Sequence, residues 1–157
     1  MPSSHRAALV DLFRYTRWAD QRMLAALREA ADAAPGDLAE AQELLSHQLR
    51  AQEIWLARVT GSGDAPELWA TDDLATCRER LETCTERWID LVQSAEDLAA
   101  AVDYRNSSGT AFSTPLRVIA HHVVNHATHH RAQIAHHLRA AGAEPPATDY
   151  IYYDRDR

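Results

Sequence analysis

Apolar residues recur along this chain at the three- and four-residue spacing of amphipathic helices. The pattern predicts a first helix over residues 4–33, which Ala34-Pro35-Gly36 ends, and a second over residues 37–60, capped at or beside Asp37. The apolar stripe of the first helix consists of Leu9, Leu12, Phe13, Tyr15, Trp18, Met23, Leu24 and Leu27. The stripe of the second consists of Leu38, Leu45, Leu49, Trp55, Leu56 and Val59.

Two further helices are expected after the break at residues 61–66. The fourth should begin with Thr114 as its N-cap and Pro115 at the first helical position, and end near Ala141, before Gly142. Four amphipathic helices with short to medium connections predict an all-α four-helix bundle that forms one domain over residues 1–157. The third helix should start near Thr71-Asp72-Asp73 and carry Leu74, Cys77, Leu81, Cys84, Trp88, Leu91 and Val92.

Two segments lie outside the four predicted helices. In residues 100–113, apolar and aromatic positions flank the turn-forming stretch 106–109, so a short hairpin or an irregular loop is expected. The tail after Pro145-Pro146 is aromatic and then charged. We expect it to pack on the bundle or on a second subunit through Tyr150, Ile151, Tyr152 and Tyr153.

Composition and charge narrow the classes of function. The chain has 23 Asp and Glu against 16 Lys and Arg, a formal net charge of −7. Because phosphate binding needs a clustered basic face, nucleic acid is not an expected partner. No apolar run approaches the roughly 20 residues that cross a membrane, and charged residues interrupt the N-terminal segment where a signal peptide would be apolar. We therefore expect a cytosolic protein that does not bind membranes.

Seven of the nine histidines lie within residues 121–137, in the run HHVVNHATHHRAQIAHH. His126 and His130 are four residues apart, so on a helix both rings lie on one face, one turn apart. His130 occupies a step of the core-facing stripe where an apolar residue is expected, and metal ligation would offset the cost of burying an unpaired polar ring. Imidazole is the commonest protein ligand for transition metals, so the pair predicts a metal site.

A third ligand is needed, because a reactive zinc site has three protein ligands and an open position. Outside the histidine run only His5 and His47 remain, and His5 is near the N-terminus. His47 lies in the middle of the second helix, close to its apolar stripe. We therefore predict that His47, His126 and His130 bind one ion, and three neutral imidazoles suit Zn, Ni, Fe or Cu.

The other polar residues of the run are interpreted by their position on the helix. His122 lies one turn before His126 and could line the cavity, whereas Asn125 or Gln133 could hydrogen-bond a ligand ring or a bound water. Surface positions are expected for His129, His136 and His137.

Two familiar classes of metal enzyme do not match the motif. HATHH has the outer spacing of H-E-x-x-H, but Ala127 stands where the glutamate base of a metalloprotease would be. Di-iron bundles need Glu-x-x-His pairs, and this sequence contains none.

The chain resembles the DinB-like (damage-inducible protein) family of metal-binding four-helix bundles, over nearly its whole length. The resemblance rests on RYTRWADQRMLAAL, SHQLRAQEIWLAR and HHVVNHATHHRAQIAHHLRAAGAEPPATDYIYY, in which the block NHATHHRAQI is quite specific. The family's three-histidine metal site maps onto His47, His126 and His130. His122 matches a position that is often histidine in that block.

The resemblance implies an up-down-down-up bundle, homodimers, and zinc or nickel as the metal, with iron and manganese as alternatives. Some relatives are thiol S-transferases or isomerases that use thiols such as mycothiol or bacillithiol. We therefore expect a metal-dependent thiol S-transferase or hydrolase acting on a small molecule, with the ion as Lewis acid. The alternative is a non-catalytic, stress-associated metal-binding dimer whose ion is structural. Candidate pocket walls are Trp18, Trp55 and Tyr104.

Overall fold

The computed structural model of the protein describes residues 4–33 and 36–157, which are mostly helical. Ala34 and Pro35, expected to help end the first helix, lie outside the described residues. No helix in these ranges has an apolar stretch long enough to cross a membrane. The elements are α1 (Ser4–Asp32), α2 (Ala39–Thr60), α3 (Leu74–Ser94), β1 (Ala101–Arg105), β2 (Ala111–Pro115), α4 (Leu116–Ala140) and α5 (Tyr150–Asp156).

The four long helices bury their predicted apolar stripes against one another. Both α1 and α2 pack on α3 and on α4, so α3 and α4 each contact two helices. Phe13 and Trp88 stack with ring centroids 5.2 Å apart in one apolar cluster. A second cluster, near the other end of α1, contains Met23, Leu45 and Ile134. Each such side chain contributes about 1.5–3 kcal/mol on full burial, which holds the helices at fixed positions.

Residues 100–113 were expected to form either a short hairpin or an irregular loop. They form the hairpin. β1 and β2 form a two-stranded antiparallel sheet in which Tyr104 pairs with Phe112. Asn106 orders the connecting turn, because its side-chain oxygen accepts hydrogen bonds from the backbone N–H groups of Ser108 and Thr110. The fold is therefore not purely helical.

The predicted start of α4 is wrong by one residue. Thr114 is not the N-cap, because Thr114 and Pro115 continue β2 and Pro115 is the N-cap itself, with no side-chain cap. The N–H of Leu116 donates instead to the backbone carbonyl of Ala100, at 3.0 Å. Since the chain before β1 satisfies this first helical amide, no side-chain cap is needed.

The tail forms a short helix, α5, that the apolar pattern did not predict. It packs on α1, where Tyr153 is buried beside Tyr15 and Trp18. The hydroxyls of Tyr150 and Tyr153 both donate to the carboxylate of Asp11, at 2.5 and 3.1 Å. Of the two expected packings of the tail, the one within the chain is found for Tyr153 and, at its edge, for Tyr150, whereas Ile151 and Tyr152 are exposed.

Candidate metal centre

Three histidine side chains meet between α2 and α4. One ring nitrogen from each of His47, His126 and His130 lies within 4.8 Å of the other two. The Nε2 atoms of His126 and His130 are 3.0 Å apart. Two imidazole nitrogens bound to one cation at about 2.0–2.1 Å lie roughly 2.8–3.4 Å apart for bond angles between right-angled and tetrahedral. The three residues could therefore hold a metal ion.

The rings occupy a site that is largely shielded from solvent. His47 and His130 are 5% and 8% exposed, and His126 is half-buried. Nδ1 of His47 is buried and makes no hydrogen bond of regular geometry, although the backbone of Leu68 lies near enough to raise the pKa of the ring. Leaving a buried polar atom unsatisfied costs about 1–3 kcal/mol, so this side chain fits a site that receives a further partner.

Burial also sets the charge of the three rings. It is the main cause that lowers the pKa of His126, to about 3, and the neighbouring His130 and His47 lower it further. Burial likewise lowers the pKa of His47 and His130. At neutral pH all three rings are therefore uncharged, which is the form that binds a metal ion.

A hydrogen bond fixes the orientation of the His130 ring. Nδ1 of His130 is 2.6 Å from Oε1 of Gln133, one turn further along α4. An amide oxygen only accepts, so Nδ1 carries the proton and Nε2 keeps a free lone pair on the side of His126. The expectation that Gln133 could hydrogen-bond a candidate ligand ring is confirmed, whereas Asn125 is exposed.

Trp69, which sequence reasoning did not single out, covers His47. The two rings stack with centroids 3.8 Å apart and planes 15° apart, although Trp69 is 56% exposed. The loop that carries Trp69 is anchored by Asp72, whose carboxylate accepts two hydrogen bonds from Arg50, at 2.5 and 2.9 Å. An isolated tryptophan in a non-periodic loop has no spacing signal, so only the folded loop shows this contact.

His122 extends the histidine row along α4 towards an aromatic group. Its ring lies 5.7 Å from His126 and 5.2 Å from Trp55, between centroids. Trp55 in turn contacts Tyr104 of the hairpin, at 5.0 Å. Trp55 is therefore connected to the three histidines through His122, and Tyr104 through Trp55. Trp18 packs elsewhere, against Tyr153.

Three further histidines of the run lie outside the group of three, although the ring centroid of His129 is 5.1 Å from that of His130. His129 and His136 are exposed, as expected. His137 is half-buried, and its Nδ1 lies 3.1 Å from a carboxylate oxygen of Glu40. Its contact with α2 was not anticipated from its place near the end of α4.

A buried ion pair lies behind the candidate centre. Nη1 of Arg131, the residue after His130, donates to Oδ1 of Asp20 on α1 at 2.9 Å, and both side chains are almost completely buried. Burial raises the pKa of Asp20, and the Arg131 guanidinium opposes that effect. Gln48 approaches the same carboxylate from α2 without a regular hydrogen bond. The backbone beside two of the three histidines is thus tied to α1.

Comparison with known proteins identifies the family of the chain and finds a solved structure with the same fold. The model of the DinB family matches residues 1–156, so the chain belongs to the DinB family. Protein DinB of Bacillus subtilis (strain 168) is 27% identical over 160 residues, which cover 90% of this chain and 91% of that protein. The crystal structure of a DinB-like protein from Bacillus cereus ATCC 10987 has the same fold, with a TM-score of 0.64, 19% identity, and coverage of 88% of this chain and 94% of that one.

Proposed function

We propose that His47, His126 and His130 bind one divalent metal ion and that the protein is a metal-dependent enzyme, a thiol S-transferase or a hydrolase of a small molecule. Zinc or nickel is the expected metal, with iron and manganese as alternatives. The convergence of three uncharged imidazoles, two of them buried and one half-buried, supports this proposal most strongly. Three protein nitrogens leave a coordination position for a substrate, as catalytic zinc sites do.

The residues around the three histidines would prepare the site for this chemistry. A bound divalent ion supplies Lewis-acid chemistry, which lowers the pKa of a thiol or water. Gln133 keeps the lone pair of His130 available, and Trp69 shields His47 from water. Within the described residues no carboxylate joins the histidine group, so no general base is assigned. That composition fits thiolate formation better than hydrolysis.

The alternative is a non-catalytic, stress-associated dimer in which the ion is structural. The chain already has buried polar ties that do not involve the histidines, namely Arg131 with Asp20 and Arg50 with Asp72. These ties join α1 to α4 and the α2–α3 loop to α2. We therefore expect the fold to persist without metal, which argues against the structural alternative.

We also propose, for either role of the ion, that the protein is a cytosolic homodimer whose subunits are up-down-down-up bundles.

Removal of one candidate ligand tests the metal site. His126→Ala, purified without a histidine tag, should bind Zn²⁺ and Ni²⁺ more than about 100-fold more weakly than wild type in competition titrations. Loss of a residue that only hydrogen-bonds a ligand weakens metal binding about 10- to 100-fold, and loss of the ligand itself should weaken it more. His136→Ala is the matched control, since His136 is exposed on the same helix. Equal metal affinity of the two variants would contradict the site.

A second measurement separates the catalytic role from the structural one. We expect the metal-free protein to stay folded, and the Co²⁺-loaded protein to develop a thiolate-to-cobalt charge-transfer band with at least one of a panel of low-molecular-weight thiols. If metal removal unfolds the protein and no thiol changes the cobalt spectrum, the structural alternative is correct.

A further inference from the structure

We propose that the cavity between the end of α2, the following loop and the hairpin binds a small molecule through an oxyanion, a carboxylate or phosphate group, held by Arg58 and Arg105. The cavity has a volume of about 500 Å³. Binding of the oxyanion does not depend on the metal; the further claim that the bound molecule is a substrate rests on the proposed function. The lining includes Arg58, Tyr104, Arg105, Ser107, Pro66 and Leu68.

Arg58 is a partly desolvated cation without an anionic partner. Its guanidinium lies 4.5 Å from the ring centroid of Trp55 and 5.7 Å from that of Tyr104, and burial lowers its pKa. Its polar contact is a hydrogen bond of 3.5 Å to the hydroxyl of Ser107. A guanidinium has five N–H donors, so most of the donors of Arg58 remain available.

Arg58 lacks the aspartate partner that the two buried arginines of the described chain have. Arg50 and Arg131 are buried and each is paired with an aspartate. In the described ranges, neither Arg58 nor Arg105 has a carboxylate within ion-pair distance, although acidic residues outnumber basic ones. Because a partly buried charge costs free energy unless it is paired, Arg58 fits an external anion. The exposed Arg105 adds a second cation to the same cavity lining.

The second arginine comes from the hairpin and faces the same cavity. Arg105 lies at the end of β1, where one guanidinium N–H donates to the carbonyl of Gly109 at 2.7 Å. That bond fixes the side chain across the turn and leaves its other donors free. Two guanidinium groups from separate elements can share one carboxylate or phosphate, whose planar or tetrahedral oxygens match their geometry.

Two chains of contacts connect the cavity with the candidate metal centre. Trp55, under the guanidinium of Arg58, contacts His122, which lies next to His126. On the other side, the lining residue Leu68 precedes Trp69, which stacks on His47. The cavity therefore reaches the three histidines only through intervening residues, and its two arginines favour a small carboxylate- or phosphate-bearing compound as the ligand.

Titration with simple anions tests the binding. We expect inorganic phosphate or malonate to bind saturably at low ionic strength, with chemical-shift changes at the Arg58 and Arg105 side chains. Phosphate binding alone would identify a phosphate site and malonate binding alone a carboxylate site. Arg58→Gln and Arg105→Gln should each weaken binding about 10-fold or more, because each removes charge-assisted hydrogen bonds. Arg14→Gln, which removes an exposed arginine of α1, should bind like wild type.

The outcomes separate this proposal from the metal site. Anion binding that survives in His126→Ala supports a subsite made by the arginines, whether or not that variant loses metal. Absence of saturable binding, or equal binding by Arg14→Gln and the two cavity variants, overturns the proposal. Loss of anion binding in His126→Ala also overturns it, because the anion would then bind at the histidines. Arg105 is exposed, so its variant tests the idea even if Arg58→Gln does not fold.

Discussion

At the scale of single residues, the environment of His126 decides how the candidate centre responds to protons. This ring is surrounded by other histidines and partly removed from water, which lowers its pKa to about 3. Only the uncharged ring has a lone pair for a metal ion, so the same burial that costs free energy keeps the ring competent to bind.

The lowered pKa predicts that the metal-free protein loses stability in acid. The ordinary pKa of histidine is 6.5, and between that value and about 3 an unfolded chain protonates His126 while the folded protein does not. Stability therefore falls as the pH decreases through this window. Urea unfolding midpoints measured from about pH 7.5 to about pH 4.5 should fall less steeply for His126→Gln than for wild type. Parallel pH profiles of the two proteins would contradict the assignment.

At the scale of elements, the pair Asp20 and Arg131 connects α1 to α4 directly behind the candidate centre. Asp20 is fully buried and Arg131 is 2% exposed, so neither charge is solvated by bulk water. A pair in this situation stabilises little relative to apolar residues, but its disruption leaves one charge buried alone.

Removal of one partner of this pair should therefore be costly. Asp20→Ala is expected to lower the free energy of unfolding by about 3–5 kcal/mol, because Arg131 keeps its buried charge. Arg78→Ala is the control: it breaks the exposed pair with Glu82 on α3 and should cost no more than about 0.5 kcal/mol. Equilibrium urea unfolding compares the two. Similar losses in both variants would show that the buried pair has no special role.

The sequence predicted the long helices well because their apolar periodicity is local information. It also predicted His47, His126 and His130 as a group, since a four-residue spacing on one helix needs no tertiary knowledge and His47 was the remaining candidate away from the N-terminus. The start of α4 was predicted wrongly, because backbone bonding by Ala100 replaced the side-chain cap expected at Thr114.

At the scale of the whole molecule, the features that the sequence did not predict all depend on contacts between distant segments. Trp69 reaches His47 only because the α2–α3 loop is anchored by Asp72. Arg58 and Arg105 share a cavity only because the hairpin packs against α2. Neither contact has a periodic or motif signature in the sequence, so both are visible only in the three-dimensional structure.

The same scale relates the candidate metal centre to the anion cavity. Both lie along α2, which supplies His47 to the first and Arg58 to the second, about three turns apart. Within the described residues, the cavity brings together two arginines without a carboxylate partner, in a protein whose net charge is −7. We expect a substrate to bridge the two groups, its anion on the arginines and its reactive end beside the histidines.

X-ray absorption spectroscopy of the zinc- or nickel-loaded protein tests the central claim most directly. The account predicts three imidazole nitrogens at about 2.0–2.1 Å from the ion in wild type, and two in His47→Ala. A ligand shell with fewer than three imidazoles in wild type, or one that His47→Ala leaves unchanged, would contradict it.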